Sequence, residues 1–307
     1  MIAIAISGLG KIARDQHLPA VIASGQFDLA ATVDPFAAAI PGVPHFTDIA
    51  AMLAAKPHIA AMSVCTPPQV RAVVAAEAIR AGLHVMLEKP PAASLSQAQA
   101  LVQAAADGGV SLFAAWHSRE GGAVAPARAW LADKTIRSVD VRWLEDVRKW
   151  HPGQAWIWQA GGLGVFDPGI NALSILTTLL PGTVIMDRAE LDVPANCAAP
   201  IAARLKLRSD CGAPIAAEFD WRLTDGQIWQ ITAETDAGML LLEGGGGKLT
   251  LPASPPVSYA ASEYAALYSR FAELISQNAS EVDLSPFTLV ADAFLLGELH
   301  AAEPFYD

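Results

Sequence analysis

Cysteine is scarce in this 307-residue chain: Cys65, Cys197 and Cys211 are odd in number, widely spaced and without a C-x-x-C pair. That excludes a disulfide framework and offers no zinc spacing, so the sequence points to a reducing compartment. Basic residues are outnumbered, with 20 Lys and Arg against 31 Asp and Glu and a formal net charge of −11. Such a balance disfavours nucleic acid or an anionic membrane surface as partner. No apolar run approaches membrane-spanning length, and the apolar opening Ile2–Ile6 lacks the basic flank and the length of a secretion signal. The expected location is the cytoplasm. H-x-x-x-H, a clustered acid set and G-x-S-x-G are missing too, which removes the usual metal and nucleophile-elbow signatures.

What the chain does have is a globular composition, 53% hydrophobic and 17% charged, at a length that suggests two domains. A short apolar strand, Ile2–Ser7, runs into Gly8-Leu9-Gly10-Lys11-Ile12-Ala13, a G-x-G-x-x-A turn that opens a helix. In that pattern Gly8 permits the tight turn, Gly10 leaves bare backbone beside a pyrophosphate, and Ala13 lets the helix lie close on its strand. The helix start offers N–H groups to phosphates. About 20 residues further on, as the fingerprint requires, a second strand, Phe27–Val33, ends at Asp34, whose carboxylate suits ribose hydroxyls. Asp34 favours NAD, because no arginine follows at 35–38 to neutralise a 2′-phosphate, although Lys11 or Arg14 on the first helix leaves NADP open.

Strand and helix signals alternate through residues 1–118: strands at 2–7, 27–33, 59–64, 83–87 and 111–115, helices at 11–24, 48–55, 69–81 and 94–107. That order specifies a parallel sheet with helices on both faces and a ligand crevice at the strands' carboxyl ends. Residues 119–307 change character, with longer strand-like runs at 137–145, 183–193, 200–208, 214–222, 227–236 and 238–243. Several alternate apolar with polar, which predicts a largely antiparallel sheet with one covered face. Helices near 121–132, 168–180, 260–277 and 286–299 are expected to cover it, and Gly244–Gly247 reads as a hairpin or loop.

Three stretches carry residues suited to chemistry. Glu88-Lys89-Pro90-Pro91 follows the strand 83–87, where proline keeps Lys89 extended at the crevice. A cation there polarises a hydroxyl and lowers the pKa of a neighbouring acid; the same pattern also describes a solvated lysine in a turn. Asp167 precedes Pro168 at the start of an apolar helix, an arrangement that fits an N-cap equally well. Asn171 lies one turn later, so a proton acceptor and a hydroxyl-holding amide share a face. The segment from Trp143 to His151 combines indoles with Glu145, Arg148 and Lys149, the mixture that binds sugars; buried tryptophans and solvated charges form the alternative reading. His117 and Trp229 stand alone and read as packed side chains.

With the glycine turn, Asp34, Cys65-Thr66-Pro67-Pro68, Glu88-Lys89-Pro90 and the glycine-rich run into Asp167 in place, the chain resembles the glucose-fructose oxidoreductase/inositol dehydrogenase (Gfo/Idh/MocA) family over its whole length. The resemblance implies an α/β chain: an N-terminal Rossmann domain (1–118) and a C-terminal α/β domain (119–307) with an open, mostly antiparallel sheet that often joins subunits into homo-oligomers. It implies NAD or NADP held by Gly8, Gly10, Lys11, Ile12, Asp34, Cys65, Thr66, Pro67, Glu88 and Lys89. Many members place a histidine four residues after the motif aspartate, where this chain has Asn171. In that respect it looks like the bacterial L-arabinose/D-galactose 1-dehydrogenases. By that likeness Asp167 is the acid/base, Lys89 its electrostatic partner, and Asn171 a hydroxyl ligand. His117, Glu145, Trp150, His151 and Trp229 line the pocket for a small sugar. The implied reaction oxidises an aldopyranose at C1 to its lactone. A polyol dehydrogenase, a keto-sugar reductase and a dinucleotide sensor without catalysis are the rival readings.

Overall fold

A computed structural model describes residues 1–210, 212–260 and 263–306. Cys211 and residues 261–262 of the helix expected from 260 lie outside the described residues. The chain forms two units: Met1–Trp116 with Tyr264–Leu284, and His117–Glu263 with Ser285–Asp307. The expected single boundary near 118 is joined by two further crossings, after Glu263 and after Leu284, because Tyr264–Leu284 returns to the first unit. Its Tyr264, Leu267, Tyr268 and Phe271 are buried in one cluster with Ile4, Ile6, Phe27 and Phe113.

In the first unit β1 (Ile2–Ser7) leads through a π-helical turn, Ala13–His17, into α1 (Leu18–Ala23). There follow β2 (Phe27–Val33), β3 (His45–Phe46), α2 (Ile49–Ala55), β4 (Ala61–Val64), α3 (Pro68–Arg80), β5 (His84–Glu88), α4 (Leu95–Gly108) and β6 (Leu112–Ala115). The strands lie in the order β3-β2-β1-β4-β5-β6, all pairs parallel. All four residues of β4 and of β6 are buried, as parallel strands covered on both faces require. The order reverses direction between β1 and β4, the switch point at which doubly wound sheets open a ligand crevice.

The second unit contains α5 (Val124–Leu131), β7 (Ile136–Leu144), α6 (Val147–Trp150) and α7 (Phe166–Leu179). Then come β8 (Val184–Pro194), β9 (Ala202–Ser209), β10 (Pro214–Asp220), β11 (Ile228–Thr235), β12 (Gly238–Glu243), β13 (Lys248–Thr250) and β14 (Val257–Ser258). The helix α8 (Glu263–Gln277) belongs, from Tyr264 on, to the first unit, while α9 (Ser285–Leu296) and β15 (Gly297–Ala302) close the second. The described strands make a nine-stranded sheet in the order β14-β13-β12-β11-β7-β10-β9-β8-β15. Its pairs are antiparallel except β7–β10 and β8–β15. Buried and exposed residues alternate along β9 and β10, so one face is covered and the other is wet.

Several details depart from the sequence reading, α6, β13 and β14 among them as elements too short to carry a periodic signal. β3 went unforeseen, since two residues carry no periodicity. The helix expected over 286–299 stops at Leu296 and becomes β15. Finally, α7 starts at Phe166, two residues before the expected first helical residue Pro168: Phe166 N–H donates to Leu163 O and Asp167 N–H to Gly164 O. The N-cap is Val165, without a side-chain cap, so Asp167 sits inside the first turn and is not the cap the Asp-Pro pattern suggested.

Candidate active site

The glycine turn of the first unit is shaped by two different constraints. Gly8 has φ +86°, and a Cβ there would lie 2.6 Å from the backbone N of Thr66, so only glycine lets β1 pass this close to the end of β4. At Gly10 a Cβ would meet nothing within 4 Å. The folded chain itself therefore does not demand glycine at 10, and the open space beside it is the cradle a pyrophosphate needs. Thr66 Oγ1 is buried without a hydrogen-bond partner at the same strand ends. Cys65 is buried at the end of β4, with its N–H donating 2.7 Å to Ser7 O.

Asp34 stands at the tip of β2. Its Oδ2 accepts the Leu9 N–H at 2.7 Å, and its Oδ1 accepts those of Phe36 and Ala37 at 2.8 Å. Burial works to raise its pKa, but these three N–H groups outweigh it and hold the carboxyl below the ordinary aspartate value. The carboxylate thus ties the glycine turn to the β2 tip and remains charged for ribose hydroxyls. Arg14 reaches the same region, donating through Nε to Leu9 O at 3.0 Å and through Nη2 to Ala38 O at 2.7 Å. Lys11 instead pairs with Asp15 one turn along. Gly8, Gly10, Asp34 and Thr66 fit a dinucleotide.

Glu88 ends β5 and is only 2% exposed. Its Oε1 receives Tyr264 OH at 2.7 Å and lies 3.0 Å from His17 Nε2, while its Oε2 accepts the Lys89 N–H at 2.8 Å. The side chain is directed into the unit, whereas the family resemblance groups it with the nucleotide's contacts. Burial disfavours a charged His17, but Cys65, Tyr268 and Glu88 around it win, and its pKa is raised well above that of free imidazole.

In the second unit the residues from 143 to 167 and Trp229 assemble into one constellation. Asp167, 4% exposed, has Oδ2 3.6 Å from His151 Nε2. The His151 ring packs on Trp221 with centroids 5.3 Å apart. Trp221 Nε1 donates at 3.3 Å to Glu145 Oε1, and Trp229 Nε1 donates at 2.7 Å to Glu145 Oε2. Trp229 stacks on Trp143 at 5.5 Å and leans on Trp150 at 5.2 Å. Register explains the stack: Trp229 and Trp143 are directly opposed on β11 and β7. Trp150 Nε1 is buried without a hydrogen-bond partner, a state that buried donors rarely occupy. Asp167, His151, Glu145, Trp150 and Trp229 are thereby connected, with Trp221 as a link the sequence reading missed.

His117 is placed differently. Its Nδ1 lies 2.7 Å from Glu263 Oε2, at the start of a 3-10 turn, His117–Glu120. Asn171 sits half-buried on α7, one turn beyond Asp167.

Residues 2–115 match a family described as oxidoreductase family, NAD-binding Rossmann fold (Gfo/Idh/MocA). The whole chain is 43% identical, over 309 aligned positions, to galactose 1-dehydrogenase of Pseudomonas fluorescens, covering 99% of that protein. The chain belongs to the Gfo/Idh/MocA oxidoreductases. A crystal structure of D-galactose-1-dehydrogenase from Rhizobium etli matches this family member at 51% identity with TM-score 0.93, over 99% of this chain and 98% of that one. A 3-ketoreductase from Actinomadura kijaniata, at 17% identity and TM-score 0.85 over 98% of this chain and 99% of that chain, shares the fold. As a Gfo/Idh/MocA member the chain is an oxidoreductase whose first unit is of the NAD-binding type.

Proposed function

We propose that this chain is an NAD(P)-dependent aldose 1-dehydrogenase that oxidises D-galactose, L-arabinose or a sugar of the same ring stereochemistry at C1 to the aldonolactone. One observation carries the reading: a buried aspartate beside a histidine joins four tryptophans, Trp143, Trp150, Trp221 and Trp229, around a carboxylate held by indole N–H groups. Aromatic faces suit the C–H patches of a pyranose, and a fixed carboxylate suits its hydroxyls. The full-length likeness to galactose 1-dehydrogenase supports the same substrate class.

In this reading Asp167 accepts the anomeric hydroxyl proton, and His151 at 3.6 Å stabilises its charge. Glu145 and the unpartnered Trp150 Nε1 hold ring hydroxyls, Asn171 orients the reacting one, and Trp229 covers an apolar face. His117 lines the pocket from the segment it shares with Glu263. Lys89 is the cation that polarises the hydroxyl being oxidised. Gly8, Gly10, Lys11, Ile12, Asp34, Cys65, Thr66, Pro67 and the Glu88–Lys89 segment hold the dinucleotide. NAD or NADP supplies the hydride acceptor. L-arabinose and D-galactose differ at the exocyclic CH2OH, so one pocket accepts both unless it is closed at C5.

Homo-oligomerisation through the second unit's sheet belongs to this proposal, as does a cytoplasmic location; among the described residues no helix is long and apolar enough to cross a membrane. A panel of aldoses with NAD and NADP, followed at the NADH absorbance band, tests the activity. Turnover of D-galactose or L-arabinose above other aldoses is expected, and reduction of a keto-sugar without aldose oxidation would sink the proposal.

A further inference from the structure

Beneath the Glu88–Lys89 step the first unit buries His17, Ser63, Tyr264 and Tyr268, polar side chains that the proposed reaction leaves without a task. His17 is 0% exposed, with Nε2 facing Glu88 Oε1 at 3.0 Å and Nδ1 facing Tyr268 OH at 2.8 Å. Tyr268 OH continues to Ser63 Oγ at 2.9 Å. Tyr264 OH donates to the same Glu88 oxygen at 2.7 Å, and the rings of His17 and Tyr264 meet edge-on at 5.0 Å. The other Glu88 oxygen takes the Lys89 N–H at 2.8 Å. Arg71, also buried, donates to Glu88 O at 2.7 Å and to Pro90 O, bracketing Lys89 from both sides.

Buried ionisable pairs are a poor way to stabilise a core, since aliphatic side chains of equal volume serve as well or better. A network of this depth, converging on one main-chain N–H, has its effect on geometry. We propose that His17 is a positioning residue: with Tyr264 it clamps Glu88, whose other oxygen fixes the Lys89 backbone and so sets where the Lys89 ammonium leaves the strand end. His17 touches no reactant and acts through Glu88. The inference rests on the reading of Lys89 as the cation at the reacting hydroxyl, and it specifies what orients that cation.

The test uses the full chain and the variant Tyr264→Phe, which deletes one donor to Glu88 and keeps the ring. Lys89 acetylation by acetic anhydride is followed residue by residue by mass spectrometry in the nucleotide-free protein, together with kcat and KM for NAD and D-galactose. Expected are a change of at least twofold in Lys89 labelling with other lysines unchanged, and a kcat lowered about tenfold, the scale of one hydrogen bond to a charged group, with the KM for NAD retained. His17→Ala should do the same, and His17→Gln, whose carboxamide still donates, should recover part of it. A folded Tyr264→Phe protein whose Lys89 labels at the wild-type rate overturns the proposal, even where His17→Ala fails to fold. Lys89→Ala separates the two ideas: full turnover in that variant defeats the role given to Lys89, whereas its loss beside an unaltered Tyr264→Phe defeats only the positioning.

Discussion

Trp229 Nε1 donates to one oxygen of Glu145 at 2.7 Å while the Trp229 ring stacks on Trp143, so a single indole both anchors a buried carboxylate and builds an aromatic wall. Trp221 supplies the second indole N–H to the other oxygen. In Glu145→Gln the amide NH2 must face one of two indole donors, which leaves a buried donor unmatched at a cost of about 1–3 kcal/mol. The expected outcome is a lower Tm and a KM for the sugar raised at least tenfold, with the KM for NAD unchanged, read by thermal denaturation and steady-state kinetics.

Asp167 lies within the first turn of α7, beside His151 and not at the helix cap. Asp167→Asn keeps size and helix while removing the proton acceptor, so kcat should fall by about 10²–10⁴-fold. Titration of NADH fluorescence should show wild-type cofactor affinity. A variant with wild-type turnover would remove Asp167 from the mechanism.

Cofactor choice turns on the β2 tip, where the Asp34 carboxylate and the Arg14 guanidinium share the neighbourhood of Leu9 and the 36–38 loop. Arg14→Ala should reduce kcat/KM with NADP more than with NAD, because only the 2′-phosphate gains from that cation. Asp34→Ala should act in the opposite sense, weakening NAD and relieving repulsion of NADP. Parallel kinetics with both cofactors decide the matter.

Gly8→Ala places a Cβ against the Thr66 backbone at a φ that disfavours side chains. Strain of about 1–3 kcal/mol is expected from the backbone alone. Loss of NADH binding, measured by fluorescence, should accompany a lower Tm.

On the exposed face of the second sheet, Asp192 binds Arg204 and Arg222 at 3.1 Å, while Arg204 also reaches Glu190. Burial pushes the Asp192 pKa up, but the two arginines prevail and hold it below the ordinary carboxyl value. A depressed folded-state pKa stabilises the protein above the unfolded value of about 3.9, and that contribution fades as acid carries the pH down through the folded value. Asp192→Asn should therefore cost about 1 kcal/mol at neutral pH, the scale of half-exposed pairs, with the deficit closing in acid denaturation series.

The first unit was largely legible because local rules agree there: the apolar runs of β1, β4 and β6, the glycine turn and Asp34 all specify the same sheet. The departures have physical causes. β15 hides behind an apolar helix whose residues read as a continuation, and the Asp-Pro pair suggests a cap that a helix entering two residues earlier makes unnecessary. His17 gave no signal, since its partners Glu88 and Tyr268 stand 71 and 251 positions away. Trp221 escaped notice for the same reason, being 76 positions from Glu145. Periodicity reports neighbours on one element and is silent about such pairings.

Phe27 and Phe113 both stack on Phe271, at 5.7 and 6.3 Å. During synthesis the ribosome releases the nucleotide-fold strands long before that ring exists, so the nascent amino-terminal portion waits with an open aromatic socket until residues 264–284 emerge. A gene truncated after Trp116 would encode every strand of the parallel sheet and still yield a product with sticky, incompletely filled interior surface, prone to chaperone capture.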